Sequence, residues 1–354
     1  MVFKNNNSKN EKGEMVRKKE RLANVSITKK DKVRIFGQEG NPIGTRRVAN
    51  MRVVSYLPFI FVIALFIILG LFIPHFLTIR NISNILLQAT PLGLMAIGIS
   101  VVLIGGGIDL SIPSLMGLSG VFGAIFMKNG GNPFLVALIM LAVCILGGCI
   151  NGFAVGYLKM VPFIVTFSMM TVAMGAALWI TKGVSMGVPR VFIDTILAKI
   201  WGIPVVVIAL IILTAVATLL MRKSLYGRWL YAVGVNVEAS RVAGIPVKRV
   251  IFSTYVISGL FAGLAAIVIT ARLGAGAATI GREGVILDVI SSAVVGGVSI
   301  LGGMGNALGA VIGAIIITLI SNIMNLSHVS YYLTLVVKGF IVIAIVAINS
   351  FRMK

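Results

Sequence analysis

Charged residues are scarce in this chain. They make up 12% of its 354 residues, whereas a soluble globular protein carries about a quarter. Hydrophobic residues supply 58%, and the mean hydropathy is +1.05. Cysteine is nearly absent as well, since only Cys144 and Cys149 occur, in one apolar run. Neighbours on a helix face lie three or four residues apart, so these two face different sides, and we expect neither a disulfide nor a metal site.

The chain also lacks the groups of a self-contained enzyme. It has no phosphate-binding loop of the type GxxxxGKS or GxxxxGKT, and no evident pairing of a nucleophile with a base. The alternating runs of about ten residues that are typical of membrane barrels are missing too. We therefore predict that the protein is not an enzyme and binds no cofactor or metal directly.

Long apolar runs dominate what is present, and several reach the roughly 20 residues that cross a bilayer core. They lie at 55–76, 85–106, 113–127, 134–157, 161–181, 203–221, 251–271, 285–301, 307–325 and 329–350. The third run would rise only about 23 Å as a helix, less than the roughly 30 Å of the hydrocarbon core. The fold class predicted is all-α, a polytopic membrane bundle of about ten transmembrane helices.

The positive charges predict the orientation of the bundle. Residues 1–52 hold 14 Lys and Arg against 5 Asp and Glu, and the loop 222–250 holds six basic residues against Glu238. Both segments should be cytoplasmic, so an even number of crossings separates them. The third run must therefore cross, and both termini lie inside. We divide the chain into a basic, disordered extension (1–52), which favours anionic lipid over nucleic acid, and a transmembrane domain (53–354).

A helix break is predicted near residues 105–113. Gly105, Gly106 and Gly107 permit tight turning, Pro113 suits the first turn of a new helix, and Asp109 or Ser111 can cap it. Irregular backbone at membrane depth is tolerated only inside protein or beside a watery cavity. Asp109 can therefore be a structural cap or a gating group on a pathway, and both readings stay open. Proton carriage is less favoured, because no chain of acids or histidines accompanies it.

Two further stretches stand out. In the loop 222–250, Glu238, Ala239 and Ser240 precede Gly244, which allows a sharp turn; the alternative is a plain solvated loop. In the stretch 287–314, the GxxxG spacing lets membrane helices pack closely, and a turn precedes it. The glycines of this turn and repeat are Gly302, Gly303, Gly305, Gly309 and Gly313.

Intramembrane charges are functional candidates by default. Asp288 and Lys338 are the charges that we place within spans, and a structural ion pair between them is the alternative to a functional role. Amide and hydroxyl side chains could line a wet path for a polyol, or could equally bridge helices. These side chains are those of Gln88, Asn151, Thr166 and Ser168.

Three motifs together resemble the permease subunit of bacterial ATP-binding-cassette importers of the ribose and simple-sugar type. They are "GGIDLS" at 106–111, "NVEASRVAGI" at 236–245 and "GGVSILGGMGNALGAVIGA" at 296–314. Supporting matches are "NISNILLQ" at 81–88, "PFIVTFSMMT" at 162–171 and "YYLTLVVKGFIVIAI" at 331–345. Their order and spacing agree from about residue 52 to the C-terminus.

The resemblance implies a transport subunit of the bacterial plasma (inner) membrane that moves a small neutral sugar, such as a monosaccharide. Its expected partners are ATPase subunits that bind ATP and Mg²⁺, an extracytoplasmic solute-binding protein, membrane lipid and a second, identical permease. The segment 236–245 would be the coupling helix, with Glu238 and Arg241 toward the ATPase, beside Ala239, Ser240 and Ile245. The alternatives are an importer of a nucleoside or autoinducer-like solute, or an ion-coupled secondary transporter.

Overall fold

Backbone amides and carbonyls at membrane depth have no water to bind, so an apolar chain satisfies them within helices. The computed structural model describes residue 67 and residues 76–281 and 283–352. Twelve α-helices lie in this part of the chain: α1 Ile79–Ile104, α2 Ile112–Lys128, α3 Pro133–Gly156, α4 Pro162–Thr181, α5 Arg190–Ile196, α6 Val205–Lys223, α7 Leu225–Val235, α8 Val237–Val242, α9 Val247–Leu273, α10 Glu283–Val295, α11 Ala307–Leu326 and α12 Tyr331–Arg352.

The apolar runs of the sequence correspond to these helices. Six helices of the described residues are long and apolar enough to cross a membrane, namely α1, α3, α4, α6, α9 and α11. Helices α2 and α10 are apolar but shorter, and α12 corresponds to the last apolar run, at 329–350. The polytopic helical bundle is therefore confirmed, while the count of ten crossings and the placement of the termini stay predictions. The first run (55–76) and the extension 1–52 lie outside the described residues, apart from Ile67 and Phe76.

Helix α9 packs at the centre of the bundle, against α3, α1 and α2. Its contact with α3 is made backbone to backbone. A Cβ on Gly148 would meet the Tyr255 carbonyl oxygen, and one on Gly259 would meet that of Cys144. Close approach of this kind is typical of membrane helices, where packing rather than the hydrophobic effect holds helices together.

The connections between helices gather at two ends of the bundle. At one end, which we call the strand end, β1 (Met186–Gly187) pairs antiparallel with β4 (Ala275–Gly276). At the other, which we call the glycine end, residues 105–107, 234 and 302–303 lie in contact. Helix α2 starts beside the glycine end and passes the strand end, where a Cβ on Gly120 would lie 3.9 Å from the Gly276 Cα. The short third run therefore forms a helix that runs between the two ends.

A second short ribbon lies between α5 and α6. Strands β2 (Lys199–Ile200) and β3 (Ile203–Pro204) pair antiparallel through a two-residue turn. Both turn residues, Trp201 and Gly202, have positive φ, at 50° and 83°, as such a hairpin turn requires. The ribbon leads directly into α6.

Candidate functional site: the helix break and the basic loop

The predicted helix break separates α1 from α2. Helix α1 ends at Ile104, and Gly106 turns the chain with a φ of 81°, a conformation that glycine adopts without steric cost. Pro113 lies in the first turn of α2, as predicted. A Cβ on Gly107 would lie 2.7 Å from the Tyr255 hydroxyl, so the break packs tightly against α9.

The carboxylate of Asp109 is the centre of this break. The residue is 1% exposed. One oxygen accepts hydrogen bonds from the Ser111 amide at 3.0 Å and the Ser111 hydroxyl at 2.6 Å. The other accepts from the Ser258 hydroxyl of α9 at 2.8 Å. Within the described part of the chain no Lys or Arg forms an ion pair with Asp109. Hydrogen bonds from hydroxyl and amide groups therefore offset the cost of burying this carboxylate.

Ser111 is the N-cap residue of α2, but its side chain makes no capping bond. Its hydroxyl donates to Asp109 and accepts from the amide nitrogen of Asn151 in α3 at 2.8 Å. The carbonyl of Ile108, the residue before Asp109, accepts hydrogen bonds from the hydroxyls of Tyr255 at 3.3 Å and Thr166 at 3.4 Å. Helices α3, α4 and α9 thus all hold the break, and Asn151 and Thr166 bridge helices here. Ser168 lies exposed on α4.

The basic loop folds into two helices, α7 and α8, and α8 has defined caps at both ends. The Asn236 side chain accepts from the Ala239 amide at 2.9 Å, which satisfies an otherwise free donor of the first turn. At the other end, Gly244 has a φ of 80°. The Gly244 amide bonds the Arg241 carbonyl, and the Ile245 amide bonds that of Ser240. This pair of bonds is the Schellman motif, so the sharp turn predicted at Gly244 is present.

Helix α8 exposes part of the predicted coupling segment. Glu238 and Arg241 form an exposed ion pair at 2.8 Å, and Ala239 and Gly244 are exposed as well. Ser240 is only 4% exposed and faces the bundle, while Ile245 is half-buried and packs against the core.

Val242, by contrast, is 90% exposed. Sequence reasoning missed it, although its position four residues after Glu238 places it on the same helix face. The exposed face of α8 thus carries an ion pair and a bare apolar side chain.

The basic loop and the helix break meet at the Ile104 carbonyl. A Cβ on Gly234, near the end of α7, would collide with this oxygen. The Gly303 amide donates to the same oxygen at 2.9 Å. A Cβ on Gly302 would lie 3.1 Å from the Gly106 Cα. The predicted glycine turn therefore connects the break to the end of α7, which directly precedes α8.

A tyrosine of α7 holds this turn from the other side. The Tyr231 hydroxyl donates to the Gly305 carbonyl at 2.7 Å. Burial raises the pKa of Tyr231, while the positive charge of Arg222 opposes this effect. The phenol stays protonated at neutral pH and keeps its donor role.

The glycine repeat packs α11 against α10. A Cβ on Gly309 would collide with the Gly296 carbonyl, and a Cβ on Gly313 with that of Ser292. Gly305 lies in the preceding turn with a φ of 134°. Close packing, the reading that the spacing predicted, accounts for both repeat glycines.

Asp288 of α10 and Lys338 of α12 form an ion pair. The Lys338 ammonium donates to both carboxylate oxygens, at 3.0 and 2.8 Å. Their side chains are 26% and 13% exposed, so the pair is partly shielded from solvent. In the described residues, no group of His, Cys, Asp and Glu could hold a metal ion, and Cys144 and Cys149 are free thiols.

Comparison with known proteins identifies the family. Residues 81–346 match the family model described as the permease component of branched-chain amino acid transport systems. The chain is 36% identical to the ribose import permease protein RbsC of Bacillus subtilis, over 82% of this chain and 91% of that protein. It is 38% identical to the D-allose transport system permease protein AlsC of Escherichia coli, over 78% and 85%.

A third relative is the probable ABC transporter permease protein y4mJ of Sinorhizobium fredii, 36% identical over 82% of this chain and 87% of that protein. No solved structure gives a significant match. The family match covers the helix break, the basic loop and the glycine turn alike. The chain belongs to this permease family and is a multi-pass subunit of an ATP-binding-cassette importer in the inner membrane.

Proposed function

We propose that this protein is the transmembrane subunit of an ATP-driven importer for a small neutral sugar or sugar-like solute. A separate binding protein would deliver the solute at the strand end, and partner ATPases would dock at the glycine end. The relatives named for ribose and D-allose import support the class of solute. The pairing of Asp288 with Lys338 also supports a neutral cargo, because it leaves the carboxylate charge compensated.

The exposed face of α8 is the observation that carries the ATPase assignment. Helices this short are marginal alone, yet both ends of α8 are capped. Val242 lies bare beside the ion pair of Glu238 and Arg241. An apolar side chain within a charged rim is the composition of a protein–protein contact. We therefore assign α8 as the element to which the ATPase binds.

The backbone contact at Ile104 supplies a route for motion from the ATPase into the bundle. A displacement of α8 moves α7, and Gly234 of α7 bears on the Ile104 carbonyl at the end of α1. Beyond that carbonyl lies the break with Asp109. The break and the glycine turn are thus the hinge on which we expect the bundle to change between inward-facing and outward-facing states. We propose a homodimer of this chain, with one ATPase for each copy.

The test is co-purification of the ATPase with the variant Val242→Asp. A carboxylate at the centre of an apolar contact should weaken docking by about 10–100-fold, because a buried unpaired charge is costly. The matched control is Val191→Asp in α5, which follows β1 of the strand end in sequence and where the valine is 65% exposed. Loss of the ATPase from the first variant alone supports the assignment. Equal recovery of the ATPase from both variants would refute it, and uptake driven by an ion gradient without ATP would refute the importer.

A further inference from the structure

A small cavity of about 220 Å³ lies among α1, α2, α9, α10 and α11. It is smaller than the roughly 300–1,000 Å³ of pockets that hold drug-sized ligands. The cavity lies near the strand end, because Arg272, which lines it, is in the last turn of α9. Five polar side chains line it: Gln88, Arg272, Asp288, Thr318 and Ser321.

Arg272 lies one residue beyond the apolar run 251–271, because α9 extends two residues further, to Leu273. Its side chain is half-buried, and among the described residues it forms no ion pair or hydrogen bond. A guanidinium offers five N–H donors in a fixed fork. A partly buried group with so many free donors binds best to a solute that is rich in oxygen.

The other polar groups have complementary roles. The hydroxyls of Thr318 and Ser321 donate to the carbonyls of Ala314 and Ile317, at 2.8 and 2.9 Å. They therefore present only lone pairs to the cavity and act as acceptors. Gln88 offers both a donor and an acceptor. The cavity thus has donors on one wall and acceptors on another.

Apolar side chains close the inner part of the cavity. Met95 of α1 and Met116 of α2 both line it and are 3% and 2% exposed. Met116 lies only five residues after Ser111, so the floor of the cavity adjoins the helix break. Methionine is unbranched and changes conformation readily, which suits a floor that must open.

We propose that this cavity is a binding site for a single monosaccharide in transit, entered from the strand end and closed beneath by Met95 and Met116. Sugar hydroxyls both donate and accept, which matches Arg272 on one wall and Thr318 and Ser321 on another. The C–H faces of the ring would lie against the methionines. The site rests on the proposed function, and it assigns Arg272 as the residue that fixes the orientation of the sugar.

The experiment uses the permease with its ATPase and binding protein in proteoliposomes, with Cys144→Ala and Cys149→Ala as background. Ser321→Cys is labelled from outside with a charged thiosulfonate, in D-ribose, D-allose or D-xylose. At ten times its Kd, a sugar in the cavity should slow labelling about tenfold, as mass action requires. The matched control is Ser327→Cys, exposed at the end of the same helix but outside the cavity.

A second variant makes the result independent of the cysteine. Arg272→Gln should raise the KM for uptake about tenfold or more, because hydrogen bonds to a charged group are lost. The KM of Arg272→Lys should lie between that of the unmodified chain and that of Arg272→Gln.

The outcomes separate the site from the function. ATP-driven uptake of a sugar that neither protects Ser321→Cys nor depends on Arg272 would overturn the cavity site and leave the importer intact. Protection by a sugar without any ATP-driven uptake would support the site and overturn the proposed function. The absence of both would overturn both.

Discussion

Replacing Asp109 by Asn and by Ala separates the two roles that the sequence allows for this carboxylate. In Asp109→Asn, the amide oxygen can keep both bonds from Ser111, and the amide nitrogen can donate to Ser258, whose hydroxyl turns to accept. Each bond to the charged form contributes about 1.5–3 kcal/mol and each neutral bond about 0.5–1.5 kcal/mol. Part of this loss is offset, because a neutral amide costs less to bury than a carboxylate.

Asp109→Ala removes the acceptor altogether. It leaves three buried donors without a partner: the amide and hydroxyl of Ser111 and the hydroxyl of Ser258. Each unsatisfied donor costs about 1–3 kcal/mol, so the loss is at least about 3 kcal/mol. Total stabilities are often only about 5–15 kcal/mol, and we expect little folded Asp109→Ala protein.

The assay is size-exclusion chromatography of heated, detergent-solubilised protein, together with ATP-driven uptake in vesicles. Asp109→Asn should elute as folded protein and keep uptake within about tenfold of the unmodified chain, equivalent to about 1.4 kcal/mol. Asp194→Asn, at an exposed position of α5, controls for the loss of one charge. If Asp109→Asn folds as well as its control yet transports nothing, the carboxylate charge itself takes part in transport, as a gating group would, and the purely structural account is refuted.

Three further sets of variants test packing, capping and charge. Gly313→Ala should lower the thermal midpoint, since overpacking costs about 1–3 kcal/mol, whereas Gly339→Ala, with open space around its Cβ, should not. Gly244→Ala should weaken ATPase binding more than Gly244→Asn in a direct binding assay, because a left-handed conformation costs about 1–2 kcal/mol for most residues; equal effects would contradict the cap. Asp288→Asn and Lys338→Met should each lower the midpoint more than the double variant does, because each alone leaves a charge unpaired; additive losses would contradict the pairing.

Local chemistry made the fold largely predictable. Hydropathy located the apolar helices, and glycine and proline located the break at 105–113. The start of α1 was less predictable. It begins at Ile79 rather than at residue 85, because Asn81 is buried and pairs with Asn322 of α11 at 2.8 and 3.1 Å. A polar residue paired across 241 positions gives no signal in a hydropathy window.

The site follows the same division. The Schellman turn at Gly244 and the place of Pro113 depend on adjacent residues, so the sequence predicts them. The Ser258 partner of Asp109 cannot be predicted in this way, because it comes from α9 and supplies a hydroxyl rather than a charge. The inward orientation of Ser240 and the exposure of Val242 depend on how α8 docks, which the tertiary contacts of the loop decide.

Three segments that are distant in sequence meet at the Ile104 carbonyl: the end of α1, the end of α7 and the glycine turn. Gly234 lies within α7 and has no positive φ, so it is not there for its conformational freedom. It is needed because a Cβ would occupy the place of the Ile104 oxygen, which already accepts from Gly303. Packed contacts of this kind switch between discrete arrangements rather than deform. A shift of α7 must therefore either carry the end of α1 with it or break the bond from Gly303, and in both cases the break that holds Asp109 changes.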